Sequence, residues 1–210
     1  MTLRLLSLHG FRGSGAGQRA QLAGLLAGCE ERVELLCPDA PAAAHGGFGW
    51  WNAQPIEGAS PRVKHYEGWA RTRAWVLEFF AQHGPIDGVL GFSQGAALTA
   101  LLVGMRAAGQ PVTAERPLSF DFAVLVSGFA SNDPVHAPLF DAAAAFSLPS
   151  LHLIGRADRI VPSSASLSLA ERFAAPTIVL HDGGHVIPST AEARIACGAF
   201  LAKRERGAQG

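Results

Sequence analysis

Short apolar runs alternate along this chain with longer segments in which apolar residues recur at helical spacing. The runs are Leu3 to Leu8, Val33 to Cys37, Ile86 to Leu90, Phe122 to Val126, Leu151 to Ile154 and Thr177 to Leu180. Each is short, mostly apolar and followed by Gly, Pro, Ser or His, the mark of a buried strand. Between them the spacing predicts helices. Gln18 to Gly28 carries Leu22, Leu25 and Leu26, and Tyr66 to Ala81 carries Trp69, Val76, Leu77 and Phe80 on one side. An Ala/Leu-rich helix follows over Gln94 to Ala108, and Pro162 and Ser163 open another that runs to about Ala174. The capping-box pattern Ser189-x-x-Glu192 starts a last helix ending near Lys203, with residues 204–210 as a frayed tail. One stretch, 42–65, has no period, and its Gly, Pro and paired Trp50-Trp51 predict a long irregular loop of functional or disordered character. Strands alternating with helices imply an α/β fold with a parallel sheet covered on both sides.

Length and composition narrow the picture. The chain has 210 residues and is 49% hydrophobic, enough for one domain with a substantial core, predicted over residues 1–203. Its 17 basic and 17 acidic residues cancel, which leaves no electrostatic footprint for nucleic acid and no polybasic patch for an anionic membrane. No apolar run approaches the roughly 20 residues of a membrane span, and the N-terminus lacks a signal-peptide pattern. Three cysteines, Cys29, Cys37 and Cys197, fit neither a disulfide framework nor a metal spacing. The expected compartment is the cytoplasm.

The chemistry centres on Gly91-Phe92-Ser93-Gln94-Gly95, placed where an apolar strand gives way to a helix. A sharp turn there lifts a serine hydroxyl above the sheet edge, with glycines where side chains would crowd the elbow. Serine needs a neighbouring base to become a nucleophile. Among eight histidines, His185 follows the last strand within Asp182-Gly183-Gly184-His185, a loop able to carry an imidazole over that edge. Two acids could orient it: Asp158, after the fifth strand, stands ahead of Asp133, which also reads as an ordinary turn residue. Asp182 lies too close to His185 in the same tight loop. The order Ser, acid, His is that of α/β-hydrolases. Backbone N–H groups of Gln94, after the serine, and Phe11, after the first strand, are the candidate oxyanion donors, each worth about 10²–10³ in kcat. His9 reads as a loop-shaping residue.

Competing motifs are weaker. The glycines of residues 10–17 lack the Gly-Lys-Ser/Thr ending of a phosphate loop and the dinucleotide spacing. The other histidines show no metal-ligand spacing, so no metal or cofactor is expected. Trp50 and Trp51 fit core and substrate-pocket wall equally well, and with Phe48 they are the candidate acyl-pocket residues. A non-catalytic scaffold that binds a small molecule or partner is the opposing reading, but binding alone does not need all of Ser93, Asp158 and His185.

Several segments in order resemble the FSH-type serine hydrolases. They are Leu8-His9-Gly10-Phe11-Arg12, Pro38-Asp39-Ala40-Pro41, Gly49-Trp50-Trp51 and Gly88-Val89-Leu90-Gly91-Phe92-Ser93-Gln94-Gly95-Ala96-Ala97. Val126-Ser127-Gly128-Phe129, His152-Leu153-Ile154-Gly155 with Asp158 and Val161-Pro162, and Gly183-Gly184-His185 continue the series. The resemblance implies a compact α/β-hydrolase fold of six parallel strands in the order 2-1-3-4-5-6. It also implies a triad of Ser93, Asp158 and His185 that cleaves carboxylic esters or thioesters of acyl chains. Arg156 departs from the family pattern, where a small or acidic residue is expected, and puts the pocket rim in question.

Overall fold

The computed structural model describes residues 2–60, 62–141 and 144–207. In chain order β1 (Leu3–Leu8), α1 (Gly15–Leu25) and β2 (Val33–Leu36) come first. Two antiparallel hairpins follow, β3–β4 (Ala42–Ala44 and Gly47–Gly49) and β5–β6 (Asn52–Pro55 and Lys64–Glu67). Then come α2 (Trp69–His83), β7 (Gly88–Phe92), α3 (Gln94–Ala107), the small hairpin β8–β9 (Pro111–Thr113 and Arg116–Pro117) and β10 (Phe122–Val126). A 3₁₀ turn (Pro134–His136) and α4 (Ala137–Asp141) lead to β11 (Ser150–Gly155), α5 (Ser163–Ala170), β12 (Pro176–His181) and α6 (Ala191–Gly207).

Six strands form one parallel sheet in the order β2-β1-β7-β10-β11-β12, the order implied by the family resemblance. The chain steps outward from β1 to β2, then returns past β1 to β7, so strand order reverses between β1 and β7. In open α/β sheets ligands bind at the carboxyl ends of the strands beside such a reversal. Alternate residues of β1, β7 and β10 feed two cores. Leu6, Leu8, Val89, Ala123 and Leu125 pack with Val76 and Phe80 of α2 and the wholly buried run of α3. Leu3, Leu5, Leu90, Phe122, Val124 and Val126 pack with Leu22 and Leu25 of α1 and Cys197 and Leu201 of α6. Burial on both faces is why Phe122 to Val126 reads as continuously apolar rather than alternating.

Differences from the sequence reading arise where polar side chains decide boundaries. Helix α1 starts at Gly15 instead of Gln18, because Ser14 Oγ accepts from Gly17 N at 3.1 Å and Asp39 Oδ1 accepts from Gly15 N at 2.7 Å. Tyr66 is not helical: it pairs with Ala53 across β5–β6, and α2 begins at Trp69. Helix α5 stops at Ala170, ahead of the expected Ala174, and Phe173 instead bridges to Phe146. The Ser189–Glu192 capping box does not form; Thr190 Oγ1 accepts from Ala193 N at 3.3 Å and the helix opens at Ala191. Helix α6 continues through Gly207, past the expected end near Lys203, and residues 208–210 of the expected tail lie outside the described residues. The 42–65 stretch is not irregular but holds the two hairpins, which bring Trp51 to the sheet edge.

Candidate active site

Ser93 occupies the junction of β7 and α3 with φ 54° and ψ −117°, a conformation that non-glycine residues rarely adopt. Its N–H donates to Val126 O at 2.9 Å, fixing the turn to the next strand. The elbow needs both flanking glycines. A Cβ on Gly95 would sit 2.0 Å from Leu8 O, and one on Gly91 would sit 2.3 Å from Gly95 O. Gln94 is the first residue of α3, whose leading N–H groups have no intrahelical acceptor and lie at the positive end of the helix dipole.

His185 and Asp158 meet this serine from the loops after β12 and β11. His185 Nε2 lies 2.8 Å from Ser93 Oγ, and His185 Nδ1 lies 2.7 Å from Asp158 Oδ2. A carboxylate only accepts, so Nδ1 carries the proton, and the bare Nε2 is the acceptor for the serine hydroxyl. The remaining oxygen of Asp158, Oδ1, accepts from Ile160 N at 2.9 Å and Val161 N at 2.8 Å. Burial pushes the Asp158 carboxyl toward protonation, but hydrogen bonds from His185, Val161 and Ile160 outweigh it, leaving its pKa below the usual carboxylate value. The Asp158 side chain is 1% exposed and that of His185 14%, so only the imidazole edge meets solvent.

Asp133 is committed elsewhere. Its carboxylate accepts from Tyr66 N at 2.6 Å and Val135 N at 3.1 Å and lies 3.4 Å from His65 Nδ1. Asp182 is exposed and pairs with Arg156 at 3.0 Å, so the unexpected arginine is neutralised at the surface. The loop after β1 runs directly against the elbow, since a Cβ on Gly10 would lie 3.4 Å from Ser93 Cβ; Phe11 is the next residue. His9 props this loop from behind. Its Nε2 accepts from Ala40 N at 3.0 Å and its Nδ1 donates to Gly10 O at 2.7 Å. Burial lowers its pKa and keeps the ring neutral, as those two bonds require.

A cavity of about 380 Å³ opens over Ser93, walled by Phe11, Trp51, Lys64, Tyr66, Gln94, Phe129, Ile160 and Val161. A second, of about 430 Å³, shares Phe11 and Trp51 with it and extends past Arg12 and Ala42 to His45. The three candidate pocket residues therefore separate. Trp51 lies on the wall of both cavities, stacked on Tyr66 at 4.6 Å. Trp50 is fully buried core: its indole N–H donates to His9 O at 2.8 Å and its backbone N–H to Gln94 Oε1 at 2.9 Å. Phe48 is half-buried against the core, its N–H bonded to Gly13 O at 2.9 Å, and walls neither cavity.

Sequence reasoning missed the Gln94 side chain, which accepts from Trp50 N and donates to Trp51 O at 2.9 Å each, tying the elbow to the hairpin segment. It missed Thr72 Oγ1, which donates to Trp50 O, and the wall residues Tyr66, Phe129, Ile160 and Val161. Phe129, Ile160 and Val161 all follow strand ends, so the strand-end rule that selected Asp158 carried a signal for them as well. Among the described residues no cluster of three or more His, Cys, Asp or Glu side chains has the geometry to hold a metal ion.

A parallel sheet in this order, with a serine at a strand–helix elbow and an imidazole over it, defines an α/β-hydrolase. The family model for serine hydrolases of the FSH1 type matches residues 1–197, and the chain belongs to that family; it is an enzyme, a serine hydrolase. It is 34% identical to esterase OVCA2 of Xenopus tropicalis, over 96% of this chain and 93% of that protein. It is likewise 34% identical to the Homo sapiens esterase OVCA2, over 95% of each chain. Among solved structures, Zea mays acyl-protein thioesterase 2 superposes with a TM-score of 0.67 at 20% identity, over 97% of this chain and 94% of that one. That last likeness is one of fold.

Proposed function

We propose that the protein hydrolyses carboxylic esters or thioesters of acyl chains through an acyl-enzyme on Ser93. The observation that carries this reading is the unbroken hydrogen-bond chain from Ser93 Oγ through His185 to Asp158, at 2.8 and 2.7 Å. Ser93 Oγ attacks the substrate carbonyl carbon while His185 Nε2 takes its proton, and Asp158 holds the Nδ1–H tautomer and stabilises the imidazolium. The N–H groups of Gln94 and Phe11 receive the negative oxygen of the tetrahedral intermediate. As that intermediate collapses, His185 returns the proton to the departing alcohol or thiol. Water then attacks the acyl-enzyme with His185 as base, and release of the acid restores the serine. The relatives named esterases support the ester class, and the apolar wall of Trp51, Phe129 and Val161 suits an acyl chain. The unpaired thiols of Cys29, Cys37 and Cys197 agree with a reducing cytoplasm.

The test is hydrolysis of p-nitrophenyl esters from acetyl to palmitoyl beside acyl-CoA thioesters, with Ser93→Ala as the reference. The reading expects turnover of some of these substrates and a fall of about 10⁶-fold in the variant. Turnover equal in wild type and Ser93→Ala would sink it.

A further inference from the structure

Ser127 sits between the strand end that presents Ser93 and the one that presents Asp158. It follows β10 directly; Ser93 N donates to Val126 O at 2.9 Å on one side, and Ser127 N donates to Leu153 O at 3.0 Å on the other. Two features of this residue are unfavourable for folding. Its φ is 49°, in the left-handed region that glycine enters freely and a side chain resists, although Gly128 is its neighbour. It is also 1% exposed, and its hydroxyl is enclosed without a hydrogen-bond partner in the resting state. Buried hydroxyls are nearly always bonded, and backbone strain concentrates where function over-determines the structure.

The neighbouring carboxylate is that of Asp158, whose proton affinity the Ser127 hydroxyl helps to hold down. Both Asp158 oxygens are already engaged, Oδ2 by His185 and Oδ1 by Ile160 and Val161. The other titratable neighbour is His181 at the end of β12, which feels Asp158 and Asp182 and is itself offset by Arg156. We propose that Ser127 is a positioning residue that donates its hydroxyl to Asp158 as His185 becomes an imidazolium, locking the carboxylate against rotation. Hydrogen bonds of this kind are often long in a ligand-free enzyme and tighten during reaction. This role rests on the acyl-enzyme reading above.

The experiment compares Ser127→Ala and Ser127→Gly with wild type. Glycine removes the hydroxyl yet fits the left-handed backbone, so it separates the hydroxyl from the strain. Steady-state kinetics with p-nitrophenyl acetate should show kcat reduced about 10-fold in both variants, as expected for a hydrogen bond to a charged group, with KM nearly unchanged. Proton NMR should show the low-field His185 Nδ1 resonance displaced in both. Wild-type kcat and an unmoved resonance in Ser127→Gly would overturn the proposal, since only the backbone would then matter. Should Ser93→Ala equal wild type in turnover, the acyl-enzyme reading fails instead. The NMR comparison still decides whether Ser127 acts on the His185–Asp158 pair.

Discussion

Replacing Ser93 by alanine and by glycine measures how much energy the elbow stores. Both substitutions delete the hydroxyl and its 2.8 Å contact with His185, so that loss cancels between them. What remains is backbone. At φ 54° and ψ −117° a residue with a Cβ sits in a sparsely populated region, at a cost of about 1–3 kcal/mol. Glycine escapes that cost but loses about 0.5–1 kcal/mol more conformational freedom on folding. The difference leaves Ser93→Gly more stable than Ser93→Ala by about 1 kcal/mol, a Tm about 2–4 °C higher for a chain of this size. Urea denaturation and differential scanning calorimetry of the two inactive variants give the comparison directly. A glycine variant equal to or less stable than the alanine variant would show that the turn is relaxed and that the strain argument is wrong.

Other expectations follow from particular contacts. Asp158→Asn, which offers His185 Nδ1 a competing amide, should lower kcat by about 10⁴-fold, whereas Asp133→Asn should lose about 1–3 kcal/mol of stability with kcat nearly intact; equal effects on turnover would dissolve the distinction between the two acids. Gly95→Ala drives a Cβ to 2.0 Å from Leu8 O, and circular dichroism should show loss of the native fold or a large drop in Tm. His152 is buried in β11 beside Ser150 and Phe173, and desolvation lowers its pKa from 6.5 to about 4. The unfolded chain therefore binds the proton first, and native stability falls as pH drops through that window, by about 3 kcal/mol in all. His152→Leu should remove this part of the acid sensitivity in urea titrations at pH 7, 5.5 and 4.5; an unchanged pH slope would contradict it.

The parallel sheet was legible because its central strands are buried on both faces, so Phe122 to Val126 reads as an unbroken apolar run and Leu3 to Leu8 as one interrupted only by Arg4 and Ser7. The elbow was legible because Gly91 and Gly95 must be glycine for steric reasons that also bracket a serine. Ser93, His185 and Asp158 could be selected because each follows a strand end. The hairpins of 42–67 were not legible: strands such as Asn52–Pro55 are exposed throughout and carry no apolar alternation. Trp50 and Trp51 are adjacent and chemically alike, yet one packs into the core and the other walls the cavity. That choice is made by Gln94 and Thr72, which hold the backbone of this pair through bonds distant in sequence. Helix starts failed for a related reason. Asp39 supplies a bond to the first turn of α1 from 24 positions away, and no local pattern encodes it. The positive φ of Ser127 is equally silent, since a serine before a glycine reads as an ordinary turn.

The proposed function rests on activation of Ser93 as a nucleophile by its neighbours. Incubating folded protein with a fluorophosphonate, then measuring intact mass and mapping the modified peptide, tests it most directly. The expected result is one stoichiometric phosphonyl adduct, located on Ser93, formed slowly or not at all in His185→Ala. An unmodified protein under conditions that label a known esterase completely, or an adduct on another residue, would contradict it.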